Sequence, residues 1–357
     1  MAMRIFQNNG LSRGFRMHRR EGRYQDFAAG RAQFLDTRFT ASHILMPVLD
    51  GSPDAFYTNG DDENLQLLWA KENGLGTSDL EQILLAQIEQ HRTEVFYNLD
   101  PIRYCSRFVA KLPGCVKTSV AWRAAPSGNV DLSGYDLVVC NFPSILESWR
   151  QKGCKVAYFS PAHDPVMDSY ASARSDEFDL IFIGGYTRHH VKRSQALTAA
   201  ASAAGVRARF YLEDSRLTRL ANALAPLPVL RSHRHPDEIR GIRADPVYGR
   251  DAYAATAKSR IVFNGAIDMA GDDRGNMRCF EAPGCGAVLL TDAGRYPEGF
   301  VDGETMLEYS SVEQIPELIG KLMRDEELAS SIAKAGYAMV KERYSKTLQW
   351  TKFKELV

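Results

Sequence analysis

The stretch Asn276-Met277-Arg278-Cys279-Phe280-Glu281-Ala282-Pro283-Gly284-Cys285-Gly286-Ala287-Val288-Leu289-Leu290-Thr291-Asp292 decides the fold. It reads as a short helix, a glycine turn and a buried strand, the repeating unit of a layered α/β protein. A polar run, Gly271-Asp272-Asp273-Arg274-Gly275, leads into it. A glycine-rich approach to a helix leaves backbone N–H groups free at the N-terminus, where an anion can bind. Glu281, further along that helix, is placed to reach a ribose diol on the same ligand. Together these features suit a nucleoside diphosphate carrying a sugar.

Outward from this stretch the same rhythm continues. Apolar runs His43–Val48, Glu94–Leu99, Thr118–Trp122, Asp136–Cys140 and Lys155–Phe159 predict strands in the first half. Helices are expected over Asn64–Glu72, Ser78–His91 and Pro143–Lys152. Ser78-x-x-Glu81 forms a capping box, and Gly153 a C-terminal stop. A polar segment, Ser160–Glu177, marks a boundary. Beyond it the spacing predicts strand Phe178–Ile183, a glycine turn at Gly184-Gly185, helix Lys192–Ala204 and strand Val206–Leu212. Leu217–Leu224 and Gly249–Ala257 read as helices, and Arg260–Asn264 as a strand. The fold class is therefore α/β, with two Rossmann-like doubly wound domains.

The signature stretch resembles the donor-site motif of GT-B glycosyltransferases. It is most similar to the bacterial group 1, spore-maturation-protein-like (CgeB-like) branch, which has an R-x-F-E-A core, a small-Gly-Ala turn and an L-L-T-D strand. Arg278, Phe280, Glu281, Ala282, Gly286, Ala287, Leu289, Leu290, Thr291 and Asp292 carry the match. The likeness runs from about residue 136 to the C-terminus. It implies two domains facing across a cleft: residues 1–170 binding the acceptor and residues 171–342 binding the nucleotide-sugar. A last helix, 343–357, would cross back to the first domain. Many retaining members have two glutamates eight residues apart. Here Asp273 stands eight before Glu281, so the spacing survives and the first glutamate does not. Pro283 departs from the usual small residue and is expected to end the helix early.

Further candidates follow from position. Gly184 and Gly185 let backbone approach a phosphate, and the cations Arg188 and Arg193 offset diphosphate charge. By resemblance this loop borders the pyrophosphate. Asn264 falls at the carboxyl end of a parallel strand, where ligands bind in such sheets. Asn276 and Arg278 open the signature helix. His163, in Ser160-Pro161-Ala162-His163-Asp164-Pro165, could position an acceptor hydroxyl or act as general base, and is grouped with Asp273 as a catalytic candidate.

Composition narrows the alternatives. Lys plus Arg and Asp plus Glu are each 44, which gives no case for nucleic-acid binding. Residues 1–40 hold eight arginines (4, 13, 16, 19, 20, 23, 31, 38) against Glu21, Asp26 and Asp36. That basic segment suits contact with a membrane surface or an oligomer partner, or a solvated surface. No apolar run reaches the roughly 20 residues of a membrane span, and a cytoplasmic setting, peripheral at most to the inner membrane face, is expected. The six cysteines form no C-x-x-C pair, so neither a disulfide framework nor a zinc site is expected. No resident cofactor or metal is expected. The co-substrate would be a UDP- or GDP-linked sugar, and the acceptor a glycan, lipid-linked molecule or protein. The expected activity is metal-independent glycosyl transfer. The alternatives are a non-catalytic nucleotide-binding scaffold and a nucleotide-sugar 2-epimerase.

Overall fold

The computed structural model describes residues 3–18, 24–126, 128–186, 191–223, 234–265 and 269–357. By contacts the chain forms two compact units. The N-terminal unit comprises 1–162, 269–273 and 346–357; the C-terminal unit comprises 163–268 and 274–345.

The N-terminal unit is built on six parallel strands: β1 (Ile5–Asn8), β2 (Ala55–Thr58), β3 (Val95–Asn98), β4 (Thr118–Trp122), β5 (Leu137–Cys140) and β6 (Val156–Tyr158). Their order is β2-β1-β3-β4-β5-β6. Sequence periodicity located the last four but not β1 or β2, which are short and mixed in polarity. The expected strand at His43–Val48 is instead a 3-10 turn, Ala41–His43, and a helical turn, Met46–Leu49. Pro47 sits in the first turn of that helix, where its missing N–H costs nothing. The helix expected from Ser78 begins one residue later, because Asp79 caps it by accepting from the amides of Glu81 and Gln82.

The C-terminal unit carries the second parallel sheet: β7 (Phe178–Tyr186), β8 (Ala208–Asp214), β9 (Arg243–Ala244), β10 (Ser259–Phe263), β11 (Val288–Asp292) and β12 (Leu307–Tyr309), in the order β12-β11-β10-β7-β8-β9. Successive residues of a strand face opposite sides. Leu180 and Phe182 enter one apolar core, and Ile181 and Ile183 the other. Val262 and Leu289 likewise oppose Ile261, Phe263, Val288 and Leu290. Burial on both faces explains why these strands read as unbroken apolar runs. Gly184 and Gly185 continue β7 rather than turning out of it, paired with Leu212 and Glu213 of β8. Pro283 lies inside the signature helix, which runs Met277–Gly284 and so ends one residue after it.

Two later segments complete the N-terminal unit. In the first, Ala270 packs into its core, and Ser144 Oγ donates to the Ala270 carbonyl at 2.8 Å. The second is the terminal helix, Lys346–Leu356. Its Phe353 ring lies 5.0 Å from that of Tyr97 and 5.6 Å from that of Phe159. Lys346 is buried, and its ammonium donates to the carbonyls of Ala41 (2.6 Å), Ser42 (3.1 Å) and Ile44 (2.7 Å) and to Gln349 Oε1 (3.1 Å). Three convergent carbonyls replace the water a charged amine would otherwise require. The basic segment is partly committed too. Arg16 pairs with Asp61, and Arg31 lies 5.7 Å from the Phe56 ring centre. Arg19, Arg20 and Arg23 lie outside the described residues. Among the described residues no helix is long and apolar enough to cross a membrane.

Lys346→Met should lower the unfolding free energy by about 3 kcal/mol, because it orphans buried carbonyls; urea denaturation measures this. A pH effect is expected as well. Burial, reinforced by the Lys346 charge, lowers His43 to about 3, and burial lowers His91 to about 4. The unfolded chain therefore binds more protons below the ordinary histidine value, and stability falls as pH drops from about 6.5. His43→Gln should flatten the decline in urea midpoint between pH 7.5 and 5.

Candidate functional site

In the C-terminal sheet the chain leaves β7 toward β8 and β9, then returns to β10 and continues the other way to β11 and β12. β7 and β10 therefore flank the switch point, where the two runs diverge and leave a crevice at the strands' carboxyl ends. Gly184 and Gly185 lie toward the carboxyl end of β7, and Asn264 and Gly265 follow β10.

Arg193 crosses this crevice from the helix Val191–Ala201. Its guanidinium carbon stands 5.1 Å from the Phe182 ring centre. A Cβ on Gly184 would come within 2.9 Å of both Arg193 Nη2 and Phe182 Cζ, so the glycine makes room for the arginine. Arg193 Nε is shielded from solvent and makes no hydrogen bond, and no carboxylate comes within ion-pair distance among the described residues. Burial lowers its pKa, partly offset by the more distant Tyr309 and Asp292. A half-buried cation with no ion-pair partner among the described residues is costly to fold, and an anionic ligand would offset that cost.

The signature helix supplies the opposite wall. Asn276 is its N-cap residue but gives no side-chain cap bond. Its amide donates instead to Asn264 Oδ1 at 3.1 Å, and Asn264 Nδ2 donates to Thr291 Oγ1 at 3.1 Å. Asn264 and Asn276 thus tie the ends of β10 and β11 to the helix, and leave the amides of the helix's first turn without a side-chain acceptor. Arg278 Nη1 stands 2.6 Å from Glu281 Oε2, with side chains only 16% and 8% exposed. Arg278 Nε has no hydrogen-bond partner. Beside the pair, Arg274 Nε lies 2.6 Å from Asp292 Oδ2. In the sequence Arg274 belongs only to a polar run; its partner lies on β11, so spacing carries no signal for the pair. Burial pushes the Cys279 thiol up to about 12, which leaves it unreactive.

The two catalytic candidates are held elsewhere. His163 is buried at the start of the C-terminal unit. Its Nε2 lies 2.9 Å from Asp168 Oδ1, which also accepts from Tyr337 at 2.7 Å, while Lys341 donates to Asp168 Oδ2 at 2.9 Å. Burial lowers the His163 pKa against the pull of Asp168, keeping the ring neutral. Its Nδ1 is shielded from solvent, and a Cβ on Gly284 would fall 3.0 Å from it. These contacts lock the helix Met167–Ser172 to the signature helix. Asp273 belongs to the N-terminal unit. Its Oδ2 accepts from the Ser144 amide at 2.6 Å, capping a helix, Pro143–Arg150, whose own N-cap residue, Phe142, cannot. Arg188 lies outside the described residues. Among them, no cluster of three or more His, Cys, Asp or Glu side chains could hold a metal ion.

Comparison with known proteins supports this architecture. Residues 193–353 match the sequence family described as glycosyl transferase-like. No curated protein matches. The HepE protein of Anabaena, solved with UDP and glucose, is similar over 99% of both chains, at 12% identity and TM-score 0.61. Sucrose-phosphate synthase of Thermosynechococcus elongatus is similar over 99% of this chain and 98% of its own, at 11% identity and TM-score 0.56. A glycosyltransferase of Rickettsia africae covers 99% and 97%, at 11% identity and TM-score 0.53. The fold is that of the GT-B class.

Two substitutions separate ligand binding from folding. Arg193→Met should leave the thermal midpoint of the free protein unchanged or higher, and weaken nucleoside diphosphate binding at least about tenfold, the value of one charge-assisted hydrogen bond. Gly184→Ala should weaken the same binding by displacing the Arg193 guanidinium. Calorimetry of both variants checks this.

Proposed function

We infer that this chain transfers a sugar from a nucleoside diphosphate donor to an acceptor hydroxyl. The observation that carries the reading is Arg193, a half-buried guanidinium at the switch point with no carboxylate within ion-pair distance among the described residues, beside a helix without a side-chain N-cap that bears Arg278 and Glu281. Arg193, Arg278 and the first-turn amides would hold the diphosphate, and Glu281 would accept from the ribose hydroxyls. In the reaction the acceptor oxygen bonds to the anomeric carbon. The bond from that carbon to the β-phosphate oxygen breaks, and the nucleoside diphosphate leaves with the electron pair. The acceptor hydroxyl's proton passes to the departing phosphate or to water, which balances the charge. Charge growing on the leaving phosphate meets fixed cations and amides, so no divalent ion is invoked. His163 and Asp273 enter as positioning residues, on the contacts described above. The acceptor-binding role falls to the N-terminal unit. The R-x-F-E-A and L-L-T-D motifs favour the CgeB-like branch, and the basic N-terminal segment favours peripheral contact with a membrane. UDP-sugars are the first donors to try, since UDP accompanies the HepE structures.

A nucleotide at one hundred times its dissociation constant stabilises the fold by about 2.7 kcal/mol. One diphosphate family should raise the melting temperature, and Glu281→Ala and Arg193→Met should cut the shift to about half or less. Release of nucleoside diphosphate should require an acceptor and survive EDTA. If no nucleotide stabilises the protein, the reading is wrong.

A further inference from the structure

The C-terminal unit contains a second opening at the other end of the same sheet. It is a cavity of about 530 Å³ at the amino ends of β10 and β11, where Arg260 and Val288 line it. The donor-side residues Asn264 and Asp292 stand at the carboxyl ends of these strands. A five-residue strand spans about 13 Å, so one small ligand cannot occupy both places.

The lining combines small apolar residues with side chains of both charges. Arg174, Arg260 and Lys334 face it together with Asp176 and Glu326. Its ion pairs are long: Arg174 Nη2 to Asp176 Oδ1 is 3.4 Å, and Arg260 Nη1 to Glu326 Oε1 is 3.7 Å. Lys334 makes no ion pair among the described residues. Arg174 Nη2 also donates to the Ser259 carbonyl at 3.2 Å and Arg260 Nη2 to that of Leu322 at 3.3 Å. The guanidiniums are thus held in place with their other N–H groups left for an incoming anion, unlike Arg274, which is closed against Asp292 at 2.6 Å. A bare dianion would be repelled by the two carboxylates. A ligand that is anionic at one end and hydroxylated along its body is not, because the carboxylates accept from its hydroxyls. Ser172, Ser330 and Tyr337 add further hydroxyls. The apolar part of the lining comes from small side chains, Ala171, Val288, Ala329 and Ala333, which suit the carbon face of a sugar ring. Space under the turn comes from Gly286, at φ +78°, where a Cβ would press within 3.0 Å of Arg174 Cδ.

We propose that this cavity binds a small phosphorylated sugar, separately from the nucleotide site. Arg174, Arg260 and Lys334 hold the phosphate, and Asp176, Glu326 and the hydroxyl side chains hold the sugar ring. The cavity also touches the network behind the signature helix. Tyr337 lines it and donates to Asp168, which holds His163 against Gly284. An occupant contacting Tyr337 is therefore joined by direct contacts to the helix that carries Arg278 and Glu281.

The experiment is calorimetric titration of the full chain with glucose 6-phosphate, inorganic phosphate and glucose, in wild type and Arg193→Met. Glucose 6-phosphate should bind equally in both, and at least tenfold more tightly than phosphate or glucose. Lys334→Glu should weaken it at least tenfold, and Ser330→Trp, an exposed helix position at the cavity, should block it. Both variants should keep the wild-type melting temperature and UDP affinity. Loss of binding in Arg193→Met would place the ligand in the nucleotide site and overturn the proposal. Equal binding of inorganic phosphate, no binding of glucose 6-phosphate, or binding indifferent to Lys334→Glu and Ser330→Trp would overturn it too.

Discussion

A positive charge with no carboxylate in ion-pair reach among the described residues constrains the C-terminal unit. Arg193 lies over Phe182 with its Nε hidden from solvent, and Asp292, whose charge acts on it, is engaged with Arg274. A protein selected for stability alone would place a carboxylate or an apolar side chain there. Its neighbours are arranged to keep the guanidinium in place. Gly184 gives it room, and Asn276, which could have capped the signature helix, bonds to Asn264 instead. Two positive features, a cation and a helix N-terminus, thus meet at one crevice.

The sheet determines where such a site can exist. Strands buried on both faces expose polar chemistry only at their ends. At the carboxyl ends the chain diverges between β7 and β10, and that divergence leaves the crevice. The amino ends of β10 and β11 carry the second opening, with its own looser set of charges. The two faces of one sheet are thus divided between two layers of core, and its two ends between the switch-point crevice and an opening lined by charged and small apolar residues.

Buried polar groups elsewhere hold distant segments together. Lys346 gathers three carbonyls from the turn at 41–44, and Asp273 caps a helix begun 130 residues earlier. Each is unstable in an apolar interior without its partners, so each enforces one arrangement of the chain. His163 does similar work between the helix Met167–Ser172 and Gly284.

The sequence by itself determined the α/β class, most strand and helix positions in the second half, and the motif that carries Arg278 and Glu281. Those features are local: double-sided burial writes continuous apolar runs, and a glycine turn between helix and strand leaves its own pattern. It did not reveal β1 or β2, which are four residues each and acquire their identity from neighbouring strands. Nor did it separate the roles of polar residues. Asn264 and Asp273 are ligand candidates by sequence position, and their contacts with Thr291, Asn276 and Ser144 came only from the tertiary structure. Arg193 was legible as a diphosphate-binding candidate, but its stacking on Phe182 and its lack of an ion-pair partner among the described residues came only from packing. A side chain's partners are set by strands and helices far away in sequence, and the balance between desolvation and pairing is decided only when they meet.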